Sequence, residues 1–359
     1  MNCTYSGNYC EARSRFRAAA RDIGAELQAH LVQGAQDSDE SLTIDVARVG
    51  AANPSWSLVI SSGVHGVEGF LGSAIQISSL RQLNASDLAR SGGEFLFIHA
   101  INPFGFSELR RVNEDNIDLN RNFLLPGESY QGTSAESEKL QDLLNPSSPP
   151  RLLDPYLVKI GWRMLRIGFP ALKQAVAEGQ FSHPKGLFFG GHKPARSTEI
   201  IKGNIMRWRR AERIVHLDFH SGSGHHARYK LFAPANIGPE ELSQYQQSFR
   251  AGIELVGMSG GLGYDMRGDF GRYMTATVGK LEYRFLFVEF GTYSPVRVLD
   301  ALRKENQAHF FTSPGSSARG RAKSALLECF CPASSSWREA VLRAGLDVIE
   351  MAKKGITRA

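Results

Sequence analysis

Residues 57–74 read SLVISSGVHGVEGFLGSA, and this stretch decides the fold. It begins with a short apolar run that ends in small residues, which is typical of a buried strand, and the residues from about 67 to 84 favour a helix. His65 and Glu68 lie at the junction, where Gly66 and Gly69 allow the backbone to turn tightly. A strand followed directly by a helix is the repeating unit of an α/β sheet.

The rest of the chain alternates in the same way. Several of the expected strands are apolar throughout, which is typical of strands buried on both faces. We therefore expect an α/β fold with a doubly wound, mixed and mostly parallel central sheet and helices on both faces. The predicted strands are 42–49, 57–61, 94–100, 213–220, 229–233 and 285–290. The predicted helices are 10–33, 67–84, 155–179, 196–211, 238–256, 294–309 and a last one from the capping box at Ser336–Glu339 to Gly355.

The sequence shows no internal repeat, and we expect one domain over residues 1–359. Two segments resemble insertion loops, about 125–200 and 311–335. The first contains the Pro- and Ser-rich stretch 145–155, and the second begins with a polar linker expected at 311–324.

Composition limits the classes of function. With 359 residues, of which 42% are hydrophobic, the chain can fill a substantial core. The net charge of +6 is scattered rather than gathered into a long basic run, which argues against a nucleic-acid partner. No apolar run approaches the ~18 residues needed to cross a bilayer. The N-terminal residues lack the apolar core of a secretory signal, so we expect a cytoplasmic protein with free cysteine thiols.

Histidines and carboxylates at strand ends are candidates for a metal site. His65 and Glu68 are spaced so that both reach one ion from the same side of a turn. A catalytic zinc site needs a third protein ligand and an open position for water. The stretch HLDFHSGSG, which starts at His216, places His216, Asp218 and His220 on one face of a strand.

The two histidines of this strand cannot share an ion, because they lie about 13 Å apart at ~3.3 Å per residue. His220, at the strand end, is the ligand candidate. Asp218 lies on the same face and is placed to accept the hydrogen bond that orients an imidazole. We expect His216 to be a hydrogen-bonded core histidine.

Two further stretches carry polar groups beside strands. Residues 102–123, NPFGFSELRRVNEDNIDLNRNF, crowd arginines, asparagines and aspartates into a loop. Arginine forks bind carboxylates and stabilise developing oxyanions. In FLFVEFGTYS, Glu289 lies near the end of an apolar strand, where a carboxylate is costly unless it faces a cation or a cleft. An acid in that place is suited to act as a general base.

The order of these motifs resembles the zinc carboxypeptidase superfamily, which also includes the aspartoacylase and succinylglutamate desuccinylase deacylases. The motifs are H-x-x-E, then R-x-N with D-x-N-R-N, then D-x-H-S-G at a strand end, then a strand-ending Glu before Gly. SSGVHGVEGFLGSAIQ, HAINPFGF, RRVNEDNIDLNRNF, GLFFGG and VEFGT are similar to a bacterial branch of metallopeptidase-like proteins of unassigned substrate. The resemblance covers most of the chain.

The resemblance implies a zinc carboxypeptidase-like fold and one zinc ion per chain, on His65, Glu68 and His220. It implies that Glu289 is the general base and later the proton donor. Arg111, in the R-x-N motif, would polarise the scissile carbonyl and stabilise the tetrahedral oxyanion.

The resemblance also implies how a substrate is held. Asn120 and Arg121 match the pair that grips a terminal carboxylate. A loop tyrosine upstream of the catalytic Glu contacts the substrate in carboxypeptidases, and both Tyr264 and Tyr273 lie in the corresponding Gly-rich stretch. The sequence does not choose between them.

The expected function is therefore a zinc-dependent hydrolase that cleaves an amide bond next to a free carboxylate, as a metallocarboxypeptidase does. An aspartoacylase-like deacylase of N-acyl amino acids is the alternative, because both substrates present a carboxylate to Arg121 and an amide to the metal. A non-catalytic carboxylate-binding protein is a second alternative. A serine hydrolase is disfavoured: GMSGG (257–261), with Asp300 and His309 downstream, continues in glycines where the nucleophile elbow requires a helix.

Overall fold

The computed structural model describes residues 4–35, 40–151, 154–168, 178–256, 267–278 and 282–358. Within these ranges, eight strands form one sheet in the order β1-β2-β4-β3-β5-β8-β6-β7. The strands are β1 Glu26–Gln33, β2 Leu42–Gly50, β3 Trp56–Ser62, β4 Gly93–His99, β5 Arg213–His226, β6 Tyr229–Ala233, β7 Ile253–Leu255 and β8 Glu282–Gly291.

The sheet is mixed and mostly parallel, as predicted. The pairs β4–β3, β3–β5, β5–β8 and β6–β7 are parallel. The pairs β1–β2, β2–β4 and β8–β6 are antiparallel. The parallel strands β3, β5 and β8 lie in the middle, so their carboxyl ends meet at one edge of the sheet.

Helices cover both faces of the sheet, which confirms the doubly wound arrangement. The helices of the described ranges are α1 Tyr9–Asp22, α2 Gly69–Gln82, α3 Ala85–Arg90, α4 Pro103–Glu108, α5 Ala135–Glu138, α6 Gln141–Leu144, α7 Tyr156–Ile167, α8 Arg196–Trp208, α9 Pro239–Phe249, α10 Phe270–Thr277, α11 Pro295–Phe311, α12 Ser317–Phe330 and α13 Ser335–Arg358. One buried cluster joins alternate residues of the central strands to α1, α2, α9 and α13. A second joins the intervening residues to α8 and α10.

Two strands lie where the sequence predicted helix. The helix expected over 10–33 ends at Asp22, just before Gly24 with φ 73°, and the following residues form β1. The helix expected over 238–256 ends at Phe249, before Arg250 with φ 49°, and β7 follows. Both strands are sheet edges, and pairing with β2 or β6 decides their conformation rather than local preference.

The prediction of a polar linker at 311–324 is also wrong, because most of this segment belongs to α12. The Ser316 hydroxyl caps this helix by accepting from the Arg319 amide, and Leu326 and Phe330 lie on its buried face. The last helix continues past Gly355, where we expected it to stop. A Cβ at that position would lie 3.0 Å from the Ser248 carbonyl oxygen, so the glycine allows close packing instead of ending the helix.

Other predictions concern the chain as a whole. The expected insertion 125–200 contains α5, α6, α7 and the start of α8, with 152–153 and 169–177 outside the described residues. The single domain and the cytoplasmic location stay predictions.

In the described part of the chain no helix has the length and apolarity that crossing a membrane requires. Cys10, Cys329 and Cys331 are free thiols, as expected, and Cys3 lies outside the described residues.

Candidate metal centre

The candidate metal ligands lie where the parallel pairing of β3 with β5 ends, at Ser62 and Phe219. β5 itself continues to His226, beyond the strand end predicted at residue 220. His65 follows β3 and precedes a 3-10 turn, Gly66–Glu68, that leads into α2. His220 lies in β5, and its register partner in β8 is Glu289. Open α/β sheets bind ligands at this edge, because the loops that follow parallel strands gather there.

Two glycines make the turn after β3 possible. A Cβ on residue 66 would lie 2.1 Å from the Gly105 carbonyl carbon, and one on residue 69 would lie 2.5 Å from the Phe106 ring. Gly66 and Gly69 therefore let the turn pack directly on α4. This packing brings His65 and Glu68 up to His220, as the sequence predicted.

His65, Glu68 and His220 form a compact cluster of metal-capable atoms. One ligand atom from each lies within 4.8 Å of the others, and all three residues are buried. The Nδ1 atoms of His65 and His220 lie 2.9 Å and 3.2 Å from the two oxygens of the Glu68 carboxylate. Two imidazole nitrogens and a carboxylate oxygen are the donor set of a catalytic zinc site that keeps a position open. The residues present therefore fit zinc.

The far side of His65 contacts a charged pair. Its Nε2 lies 3.2 Å from Asp118 Oδ1 and 2.7 Å from Arg111 Nη2. Arg111 Nε donates to Asp118 Oδ2 at 2.9 Å, and Arg111 Nη1 lies 3.6 Å from Glu68 Oε1. Burial raises the pKa of Asp118, but Arg111 and His65 outweigh burial and hold that pKa well below its usual range.

Sequence reasoning assigned no role to Asp118. It is the first residue of the D-x-N-R-N motif, and that position was the available signal. Its carboxylate supports both a candidate metal ligand and the candidate oxyanion-binding arginine.

The far side of His220 contacts Asp218, as predicted. His220 Nε2 donates to Asp218 Oδ2 at 2.6 Å, and Ser61 Oγ donates to Asp218 Oδ1 at 2.6 Å. His216 is a core histidine, as expected, because it is fully buried and hydrogen-bonded to Ser61 and Tyr283. A hydrogen bond to the second ring nitrogen is the usual support of a metal-binding histidine.

Opposite charges within the cluster shift the pKa values of Glu68 and His220. Burial raises the pKa of Glu68, but His65 and His220 outweigh it and lower that pKa strongly. Burial lowers the pKa of His220, but Asp218 and Glu68 outweigh it and raise that pKa well above its usual range.

Glu289 and Arg111 lie beside the cluster. Glu289 is half-buried, and in-register neighbours on adjacent strands direct their side chains to the same face, so it shares a face with His220. Burial lowers the pKa of Arg111, whereas the charges of Asp118, Glu68 and Glu289 raise it, and the net change is upward. Arg111 thus stays a cation.

Asn120 and Arg121 belong to a second 3-10 turn, Leu119–Arg121. Asn120 Oδ1 accepts from the Phe270 amide at 2.8 Å, and Arg121 Nη1 donates to the Asn120 carbonyl at 2.6 Å. Arg121 is buried, yet its Nε has no hydrogen-bond partner, and the same is true of Oδ2 of Asp269. Burial lowers the pKa of Arg121, against the opposing effect of Asp118. A buried N–H donor without a partner lowers the stability of the fold, because its lost hydrogen bonds to water are not replaced. A bound carboxylate would accept from this donor and remove that loss.

The tyrosine predictions have no direct support in the structure. Tyr273 is nine-tenths buried in α10, with its ring 5.8 Å from that of Phe123 and 4.5 Å below the Lys202 ammonium. Tyr264 lies outside the described residues. Contact of either with a substrate stays a prediction.

The serine-hydrolase alternative gains nothing from the structure. Ser259 lies outside the described residues. Asp300 and His309 lie on the same helix, α11, about 13 Å apart along its axis at ~1.5 Å per residue. Asp300 binds Lys304 and His309 accepts from Arg319, so neither supports the other as in a triad.

A family model described as "Protein of unknown function (DUF2817)" matches residues 5–344. No curated protein matches the chain.

Among solved structures, the chain is similar to bovine thrombin-activatable fibrinolysis inhibitor in complex with tick carboxypeptidase inhibitor, with 12% identity, 97% of this chain and 99% of that chain covered and a TM-score of 0.47. It is similar to carboxypeptidase A from Helicoverpa armigera, with 11% identity, coverage of 92% and 74% and a TM-score of 0.46. It is also similar to murein-tripeptide amidase from Escherichia coli O157, with 16% identity, coverage of 84% and 97% and a TM-score of 0.39. Similarities this distant carry no argument about activity, and the chemistry has to follow from the residues of this chain.

Proposed function

Because the chain belongs to the DUF2817 family, whose description names no activity, we propose its function from the site itself. The protein is a zinc-dependent hydrolase that cleaves an amide bond next to a free carboxylate. The observation that carries this proposal is the cluster of His65, Glu68 and His220, with one ligand atom from each within 4.8 Å of the others. Glu289 and Arg111, which lie beside it, would supply the remaining chemistry.

His65 Nδ1, the Glu68 carboxylate and His220 Nδ1 would hold the metal. Bound there, zinc supplies a Lewis acid that lowers the pKa of a water toward ~7 and polarises a carbonyl. The Asp218 carboxylate accepts a hydrogen bond from Nε2–H of His220, which leaves the Nδ1 lone pair of His220 for the ion. Asp118 and Arg111 hold the His65 ring in place from its Nε2 side.

Glu289 would move the protons. Its place beside His220 in the adjacent strand puts a carboxylate next to the cluster. It takes a proton from the attacking water and returns it to the leaving amine, the usual work of a general base and acid. Arg111 donates to the oxygen that becomes negatively charged, and its cationic state follows from its acidic neighbours.

The free carboxylate of the substrate would bind Arg121. This guanidinium is buried and keeps one donor, Nε, without a partner. Both a C-terminal residue of a peptide and an N-acyl amino acid present such a carboxylate, so a deacylase of N-acyl amino acids is the second candidate. A protein that binds carboxylates without hydrolysis would need Arg121 but neither the metal cluster nor Glu289.

A mixed panel of peptides and N-acyl amino acids, assayed with zinc-loaded protein, tests the proposal. We expect turnover of one class, loss of turnover in Glu289→Gln with zinc retained, and loss of zinc in His220→Ala. Glu282→Gln is the matched control, because Glu282 lies at the other end of β8 and its side chain is exposed. Zinc-loaded wild-type protein that hydrolyses neither class but binds them would favour the binding protein.

A further inference from the structure

A continuous line of buried polar side chains leads from the metal cluster into the middle of the sheet. It begins with the bond from His220 Nε2 to Asp218 Oδ2 at 2.6 Å. Asp218 Oδ1 lies 2.6 Å from Ser61 Oγ, which lies 2.7 Å from His216 Nε2. His216 Nδ1 then lies 2.6 Å from the Tyr283 hydroxyl. All five residues are buried.

The chemistry of these groups fixes the direction of each hydrogen bond. A carboxylate only accepts, so the Ser61 hydroxyl donates to Asp218. The Ser61 oxygen must then accept from Nε2–H of His216. That leaves His216 Nδ1 without a proton, and it accepts from the Tyr283 hydroxyl.

Burial supports this assignment of protons. It lowers the pKa of His216 to about 4, so the ring is neutral near pH 7 and carries one proton. It raises the pKa of the Tyr283 hydroxyl well above its usual range, so this hydroxyl keeps the proton that it donates.

We propose that Ser61, His216 and Tyr283 are positioning residues that fix the metal-binding form of His220 through Asp218. With Asp218 held by Ser61, its other oxygen accepts from Nε2–H of His220, and Nδ1, the nitrogen that faces Glu68, is left as the one that binds the ion. The strands make the line rigid, because Ser61 and Asp218 are register partners in β3 and β5. This inference deepens the proposed function and rests on it.

The chain contains a matched serine–histidine pair that does not reach the cluster. His99 Nε2 lies 2.9 Å from Ser73 Oγ, both residues are buried, and burial lowers the pKa of His99 to about 4. Nδ1 of His99 has no hydrogen-bond partner, so this pair is not part of a longer chain. Ser73→Ala therefore removes an equivalent buried hydroxyl without touching the metal site.

The test is zinc affinity, measured by competition with a chromophoric chelator, together with the absorption spectrum of the cobalt-substituted protein. We expect Ser61→Ala to weaken zinc binding about tenfold to a hundredfold and to change the cobalt spectrum. Tyr283→Phe, which removes one hydroxyl and keeps the ring, should weaken binding by a smaller factor. Ser61→Thr, which keeps the hydroxyl, and Ser73→Ala should leave affinity unchanged.

Thermal unfolding of the zinc-free variants separates positioning from stability. Ser61→Ala should lose more stability than Ser73→Ala, because Ser61 makes two hydrogen bonds and Ser73 makes one, but only Ser61→Ala should lose zinc affinity. Unchanged affinity in both Ser61→Ala and Tyr283→Phe would overturn the positioning role. A wild-type protein that binds no zinc would instead overturn the proposed function, so the two failures are distinct.

Discussion

The two imidazoles of the candidate metal centre are supported by different parts of the molecule. On the loop side, His65 Nε2 faces Asp118 and Arg111, which belong to the stretch between β4 and α8. On the sheet side, His220 Nε2 faces Asp218, and Asp218 is held by Ser61 on the neighbouring strand.

The difference is in what each carboxylate supports. Asp118 binds the candidate ligand His65 and also the candidate catalytic Arg111. Asp218 binds His220, and the line of hydrogen bonds then leads from Asp218 only into the sheet. It passes through Ser61, His216 and Tyr283. In the proposed mechanism, Asp118 would therefore link metal binding to catalysis through Arg111, whereas Asp218 would support metal binding alone.

The largest expected effect belongs to Glu289, which lies on the sheet side but outside the line of hydrogen bonds that begins at His220. Glu289→Gln should lower kcat by about 10²–10⁴ because the general base is lost. Zinc content should stay that of the wild type, because Glu289 is not a ligand. Steady-state kinetics with metal analysis checks this, and an active Glu289→Gln enzyme would remove Glu289 from the mechanism.

Arg111 tests the loop side. Arg111→Ala should lower kcat by about 10²–10³, because one donor to the developing oxyanion is lost. Arg111→Lys should restore little of it, because a single ammonium cannot bind Asp118 and the substrate oxygen together as the guanidinium fork does. Unchanged kcat with raised KM would instead assign Arg111 to substrate binding.

A matched pair of variants compares the two carboxylates directly. Asp118→Asn and Asp218→Asn should each weaken zinc binding about 10- to 100-fold. At saturating zinc, Asp118→Asn should still show a reduced kcat, since Arg111 loses its charged partner. Asp218→Asn should regain the wild-type kcat under the same conditions. Equal recovery of both variants would mean that the two sides do not differ in function.

A last prediction concerns the pH dependence of stability and His99, a buried histidine outside the metal cluster. Burial lowers the pKa of His99 to about 4, and Asp45, Arg17 and Arg13 act on it less strongly. Because the folded pKa lies below the unfolded value of ~6.5, the unfolded state takes up the proton first, and stability is lost as pH falls from ~6.5 to ~4. Relative to His99→Phe, wild-type protein should lose about 3 kcal/mol over that range.

Urea unfolding of the zinc-free protein at several pH values measures this difference. The phenylalanine preserves the ring stacked on Phe16, whose centroid lies 4.5 Å from that of His99. A stability difference that does not change with pH would show that His99 is not buried in a neutral form.

Much of this arrangement could be predicted from the sequence, because the central strands are apolar and end in the site motifs. Spacing and position near strand ends made His65, Glu68 and His220 candidates, and the resemblance to zinc carboxypeptidases implied them as one ligand set. The edge strands β1 and β7 could not be predicted, because their conformation depends on pairing with distant residues. The role of Asp118 and the line from Asp218 to Tyr283 depend on side-chain distances across separate elements, which no sequence period encodes.

The most direct test of the central claim is a metal analysis of the purified protein together with anomalous X-ray scattering at the zinc edge. We predict about one zinc per chain, bound by His65, Glu68 and His220 and lost in His220→Ala. Zinc-supplied wild-type protein that binds no ion at these residues, or a His220→Ala variant that keeps its zinc, would contradict the account.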